Sequence, residues 1–218
     1  MPTKPFYDTF STFVVHSHVQ VYKHKEVLTH MTDNISANCI ANPAPLGLLA
    51  FGMTTMLLSF HNLGLFGIES SILSMGIFYG GLAQVIAGIF EFKKGNTFGA
   101  TAFTSYGFFW LTFVLINTDL VPRMAPADSV SLGAYFAVWG VLTLFLFIGT
   151  LKGNRATQIV FSTLTILFFV VALRNITEIS DIAYIAGAVG VICGGAAMYT
   201  AFGEVLNEQH GKKLLPLG

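Results

Sequence analysis

Six long apolar stretches, 46–66, 72–90, 98–116, 132–151, 157–173 and 182–202, contain no Asp, Glu, Lys or Arg. No other feature of the chain limits its fold so strongly. Each stretch holds roughly twenty residues. A helix rising about 1.5 Å per residue needs about that many to cross a hydrocarbon core of about 30 Å. The apolarity is continuous and does not alternate, which favours helices over barrel strands. Short connections between long helices imply antiparallel neighbours. The expected fold is all-α: a polytopic membrane protein with six transmembrane helices in a compact bundle.

The charge content agrees. Only 10% of the 218 residues are charged and 54% are hydrophobic, against about 25% charged in an average soluble domain. Such a chain cannot cover a water-facing surface, so lipid is its expected outer solvent. The 22 glycines suit helices that approach closely in a membrane. Net charge is zero, and nothing points to a nucleic-acid partner. Cys39 and Cys193 lie far apart with no CxxC or Cys/His spacing and are read as ordinary thiols. Residues 1–30 include Lys4, Asp8, Lys23, Lys25 and Glu26 and lack the apolar core of a signal peptide, so the first span is expected to serve as its own insertion signal.

All but two of the eleven basic residues fall on one side of the expected spans. Lys4, Lys23, Lys25, Lys93, Lys94, Lys152, Arg155, Lys212 and Lys213 face Arg123 and Arg174 across the membrane. The bias predicts that the richer side is cytoplasmic, with both termini inside a plasma membrane. The chain then divides into an N-terminal cytoplasmic extension over 1–40, a six-helix domain over 41–205 and a cytoplasmic tail over 206–218. The extension holds His16, His18, His24 and His30, whose spacing fits no standard metal site; a surface segment packed on the cytoplasmic face is expected. Lys94-Gly95-Asn96 and Lys152-Gly153-Asn154 echo one another in two loops, as helix stops would.

The sharpest local string is Asn42-Pro43-Ala44-Pro45-Leu46-Gly47-Leu48, just before the first span. Asn can cap a helix, and Pro is favoured in a first turn because its missing N–H would have had no partner. A helix start also offers unpaired N–H groups to a carboxylate. The residues alone leave a rigid helix start and an anion site both open.

The longer string NPAPLGLLAF over 42–51, continued by Gly52-Met53-Thr54-Thr55, resembles the signature of the acetate uptake transporter family, which includes succinate–acetate permeases. Further strings match in order: 75–84, MGIFYGGLAQ; 91–99, EFKKGNTFG; 101–107, TAFTSYG; 149–153, GTLKG; and 203–208, GEVLNE. The resemblance spans about residues 40–217. The N-terminal stretch departs from the bacterial permeases, which begin almost at the NPAP string.

The resemblance implies six-helix protomers assembled as a homo-hexamer, each with its own path for acetate and, in some members, succinate. It implies no cofactor. The family's path is narrowed by a Phe, a Tyr and a Leu, which match Phe51, Tyr106 and Leu164 here.

The residues are compatible with such a path. Acetate has an apolar methyl and an anionic head, and a pore for it needs apolar walls with a few neutral donors. Phe51, Thr54, Thr55 and Leu58 share a face of the first helix at i, i+3, i+4 and i+7. Gly76, Gly80, Gln84, Ala87 and Glu91 form a stripe on the second, and Thr101, Thr104, Ser105 and Phe108 on the third. The candidate substrate-binding residues are Asn42, Thr54, Thr55, Tyr79, Gln84, Thr101, Thr104 and Ser105. Each has a structural alternative. Membrane Thr and Ser often bond their own backbone. The pairs Gly76–Gly80 and Gly190–Gly194 fit helix-packing seams. Gln84 fits interhelical glue as well as a ligand contact, because an unpaired amide in hydrocarbon costs a few kcal/mol.

No nucleophile–base pair or metal cluster suggests an enzyme. A membrane-embedded acetate sensor is the alternative that the N-terminal extension keeps alive. Glu91 and Glu204 lie at the cytoplasmic ends of spans and His61 at the outer end of the first; none lies deep in a span, so channel-like passage and proton-coupled permeation both remain open.

Overall fold

The computed structural model describes residues 23–29, 40–118 and 125–218. Two compact units are present, Met1–Ala41 and Asn42–Gly218. In the first, residues 23–29 form a short exposed helix that carries His24. His16, His18, His30 and Cys39 lie outside the described residues, as do Asp119 and Arg123.

The second unit is all-helical. Its helices are α1 (Ala44–Asn62), α2 (Ser70–Lys94), α3 (Thr97–Ile116), α4 (Ser129–Thr150), α5 (Arg155–Thr177) and α6 (Ile182–His210). All six are long and apolar enough to cross a membrane. The protein is therefore a multi-pass membrane protein. Several helices overrun the apolar stretches that announced them. α2 takes in Glu91, Lys93 and Lys94, and α6 takes in Glu204 and Glu208 and runs past residue 205, the expected domain end, to His210.

Side-chain caps fix three of the starts. Asn96 Oδ1 accepts from Gly99 N at 3.1 Å, Asp128 Oδ1 from Ser131 N at 2.8 Å, and Asn154 Oδ1 from Thr157 N at 2.8 Å. The two Lys-Gly-Asn echoes are thus helix beginnings: each Asn satisfies an orphan N–H of the following first turn. Gly95 adds the stop, ending α2 at φ +76°.

α2 is not a uniform helix. Gly76–Ala83 is π-helical between two α-helical segments, Ser70–Met75 and Gln84–Lys94. Glycines permit the widened turns here: a Cβ on Gly81 would stand 2.9 Å from the Gly76 carbonyl oxygen.

α1 packs on α6 and α2, α2 on α3, α6 on α5, and α5 on α4. Glycine seams set the closest approaches. A Cβ on Gly194 would lie 2.7 Å from Gly52 O, and one on Gly80 would meet Thr54 and Trp110 at 2.9 Å. Both GxxxG pairs therefore pack helix on helix. α3 and α4 are different. Their backbones scarcely touch, and the gap is filled by rings: Phe109 stacks on Tyr135 at 6.0 Å and meets Trp139 edge-on at 5.3 Å. Val138, Phe145 and Phe78 are among the large apolar side chains left on the outside.

Beyond α6 the tail folds back. Leu217 O accepts from Ala156 N in the first turn of α5 at 2.9 Å, and Asn207 Oδ1 accepts from Leu214 N and Leu215 N.

Candidate functional site: two cavities separated by Phe51 and Leu164

Two cavities open at opposite ends of the bundle. One, about 150 Å³, is lined by the starts of α1, α3 and α5 and the end of α6, with Ala44, Asn96, Thr157 and Glu204 at its rim. The other, about 190 Å³, is lined by the ends of α1, α3 and α5, with His61, Asn62, Asn117, Arg174 and Asn175. We call them the Glu204 cavity and the Arg174 cavity. Phe51 and Leu164 line both. These two side chains, 5% and 2% exposed, are all but buried between the two spaces.

Tyr106, 3% exposed, lines the Glu204 cavity beside them. Its ring lies 5.9 Å from Phe51, 6.2 Å from Phe161 and 6.4 Å from Phe168. Its hydroxyl donates to Thr143 Oγ1 at 3.0 Å, and Thr143 Oγ1 donates to Trp139 O at 2.7 Å. The ring is thereby moored to α4 while its backbone belongs to α3.

The walls are mostly apolar; besides Glu204 in one cavity and Arg174 and His61 in the other, their polar groups are sparse and neutral. Gln84 lines the Glu204 cavity, 1% exposed, and neither atom of its amide has a partner among the described residues. In the Arg174 cavity the Thr55 hydroxyl and the Trp110 indole N–H are likewise buried and unpartnered. A buried donor without an acceptor costs about 1–3 kcal/mol, and these groups on the cavity walls are left with bonding capacity that no described residue uses.

The other candidates from the sequence fall elsewhere. Thr54 Oγ1 donates to Ala50 O at 2.7 Å and its side chain fills the notch at Gly80. Asn42 stands just before Pro43 at the start of α1, and its Oδ1 accepts from Ala44 N in the first turn at 3.3 Å. Its Nδ2 donates to Glu204 Oε2 at 2.9 Å, and its Oδ1 accepts from Lys94 Nζ at 2.9 Å, tying the start of α1 to the ends of α2 and α6. Tyr79 and Ser105 are half-buried and line neither cavity. Thr101 is exposed, and Thr104 packs against Gly88.

α3 turns its other face inward. Ala102, Phe103, Tyr106, Phe109, Trp110 and Phe113 line the cavities. They follow Tyr106 at helical spacing, and that register was the signal that would have found them. The hydroxyls of Thr101, Thr104 and Ser105 lie on the side away from Tyr106.

Glu91 is fully buried rather than at a solvated helix end. Its Oε2 accepts from Asn96 Nδ2 at 2.7 Å, and its Oε1 has no partner among the described residues.

Comparison with known proteins gives a consistent result. The chain is 57% identical over 182 residues to the succinate-acetate/proton symporter SatP of Escherichia coli strain K12, covering 82% of this chain and 96% of that protein. It is 30% identical to acetate permease A of Emericella nidulans, over 84% of this chain and 68% of that one. Among solved structures, that of the bacterial acetate channel SatP superposes with a TM-score of 0.80 at 56% identity, over 82% of this chain and 99% of that chain. The sequence profile of the GPR1/FUN34/yaaH family matches residues 26–216, all six helices included, and the chain belongs to that family.

Proposed function

We propose that this protein carries small monocarboxylates, acetate above all and succinate secondarily, across a plasma membrane through a path within each protomer. The path runs from the Glu204 cavity to the Arg174 cavity past Phe51, Tyr106 and Leu164. The observation that carries this reading is the sharing of Phe51 and Leu164 by two cavities at opposite ends of one bundle. A plug one side chain thick is what a gated path needs, and a solid core would have no cavity on either side of it.

The chemistry of the walls supports the cargo. Apolar rings accommodate a methyl group, while the Gln84 amide, the Thr55 hydroxyl and the Trp110 N–H can replace part of the water around a carboxylate. Beside Phe51 and Leu164 the donors are neutral, and such donors hold an anion less tightly than the Arg174 guanidinium farther out would. The names of the relatives support the same substrate class. The reading is transport rather than catalysis, by a homo-hexamer whose basic face and both termini are cytoplasmic.

The test is uptake of radiolabelled acetate by proteoliposomes that contain the full chain. Uptake well above empty vesicles, competed by unlabelled acetate and succinate, is expected. Binding of acetate without flux would favour a sensor and overturn the proposal.

A further inference from the structure

We propose that Glu204 is the proton-bearing side chain of this path, and that a carboxylate occupies the Glu204 cavity together with that proton. The inference rests on the transport reading above.

Among the described residues that line this cavity, Glu204 is the one carboxylate, and no Lys, Arg or His lines it. Ionised, it repels an incoming anion across a narrow, mostly apolar space. Protonated, it offers one O–H donor, and that donor makes a charge-assisted hydrogen bond to the substrate carboxylate. The opposite cavity has the reverse character, with Arg174 and His61 on its wall and no Asp or Glu.

The surroundings leave the Glu204 charge poorly balanced. The charged groups that act on it are Lys94 and Glu91 from α2 and Glu208 from its own helix. The segment before α1 presents the Asn42 amide, the N-cap of α3 presents Asn96 and its first turn Phe98, and α5 presents Thr157. Lys94 Nζ donates to Asn42 Oδ1, and its charge still acts on Glu204. Glu91 is sealed behind Asn96. One cation therefore stands among three carboxylates, and a proton relieves the imbalance.

The cycle balances. Glu204 takes a proton from hydronium at its end of the bundle and leaves water. Its O–H donates to the substrate carboxylate. As the substrate moves on toward Phe51, the Glu204 O–H bond breaks and an O–H bond forms on the substrate. The substrate passes the plug as the neutral acid, and Glu204 is ionised again. One proton travels with each carboxylate and no net charge crosses.

The experiment compares two rates in proteoliposomes: acetate accumulation driven by a pH gradient, and acetate exchange with no gradient. In Glu204→Gln, exchange slows but stays measurable, while the ratio of accumulation to exchange falls at least ten-fold. Glu204→Asp restores that ratio. An unchanged ratio in Glu204→Gln overturns the inference. Should Glu204→Gln fail to fold, Lys94→Gln decides. Removing the neighbouring cation makes the proton harder to lose, so gradient-driven accumulation must persist to higher pH, and an unmoved pH midpoint overturns the inference. Wild-type protein without any flux would overturn both readings; wild-type flux with intact coupling in the variants overturns this one alone.

Discussion

The Tyr106 hydroxyl reaches from α3 to Thr143 Oγ1 on α4 over 3.0 Å, across an interface that the two backbones hardly make. The hydroxyl of Thr143 is itself committed to Trp139 O. The two partners are therefore unequal. Thr143→Val leaves a buried phenol without an acceptor and should cost about 1–3 kcal/mol. Tyr106→Phe leaves Thr143 still bonded to its own helix and should cost less. Thermal melts in detergent of the two variants test the order. Both should also loosen the ring beside Phe51 and raise acetate flux per folded protein.

Phe51→Ala should join the two cavities. In a packed core, Phe→Ala costs about 3–5 kcal/mol. Here part of the side chain already borders empty space, so the loss should fall at the low end. Flux per folded protein should rise several-fold and discrimination against larger monocarboxylates should weaken. A variant that is merely unstable, with unchanged flux per folded protein, would make Phe51 an ordinary core residue.

Gly194 and Gly195 are adjacent and should respond oppositely to substitution. A methyl at Gly194 would meet Gly52 O at 2.7 Å and Met56 N at 3.1 Å, whereas one at Gly195 would meet only Met56 Cε, at 3.6 Å. Backbone cannot yield as a flexible side chain can. Gly194→Ala should separate α1 from α6 and sharply reduce the yield of monodisperse protein. Gly195→Ala should be neutral, or gain up to about 1 kcal/mol from helix propensity. Size-exclusion profiles of the two variants distinguish them directly.

Asp128 caps α4 from outside the membrane span. The backbone N–H of Ser131 holds its carboxyl below the usual carboxylate value. A lowered folded-state value means that the stabilisation is present above the unfolded value, about 3.9, and drains away as pH falls through the folded one. Asp128→Ala should lower the melting temperature at neutral pH, and the difference from wild type should shrink below about pH 4. A constant difference would assign the effect to packing.

The six spans and their order were legible because hydrocarbon imposes a length and forbids charge, and both are written residue by residue. The helix starts at Asn96 and Asn154 were legible too, though as punctuation rather than as caps. The inward face of α3 was not. Thr101, Thr104 and Ser105 lie on one stripe and Ala102, Phe103 and Tyr106 on another, and periodicity alone cannot say which faces the protein when both sides must be apolar. Lipid removes the contrast that marks a soluble amphipathic helix. The role of Asn42 was hidden for another reason: Glu204 lies 162 positions away, and no local pattern announces a bond at that separation.

The π-helical turns of Gly76–Ala83 act as a phase setter for everything C-terminal to them in α2. Each residue of a helix advances by about 100°. Deleting one residue from this segment would swing Gln84 and Glu91, both now enclosed, about a quarter-turn toward lipid. The length of this short stretch should therefore tolerate change less well than its side chains do.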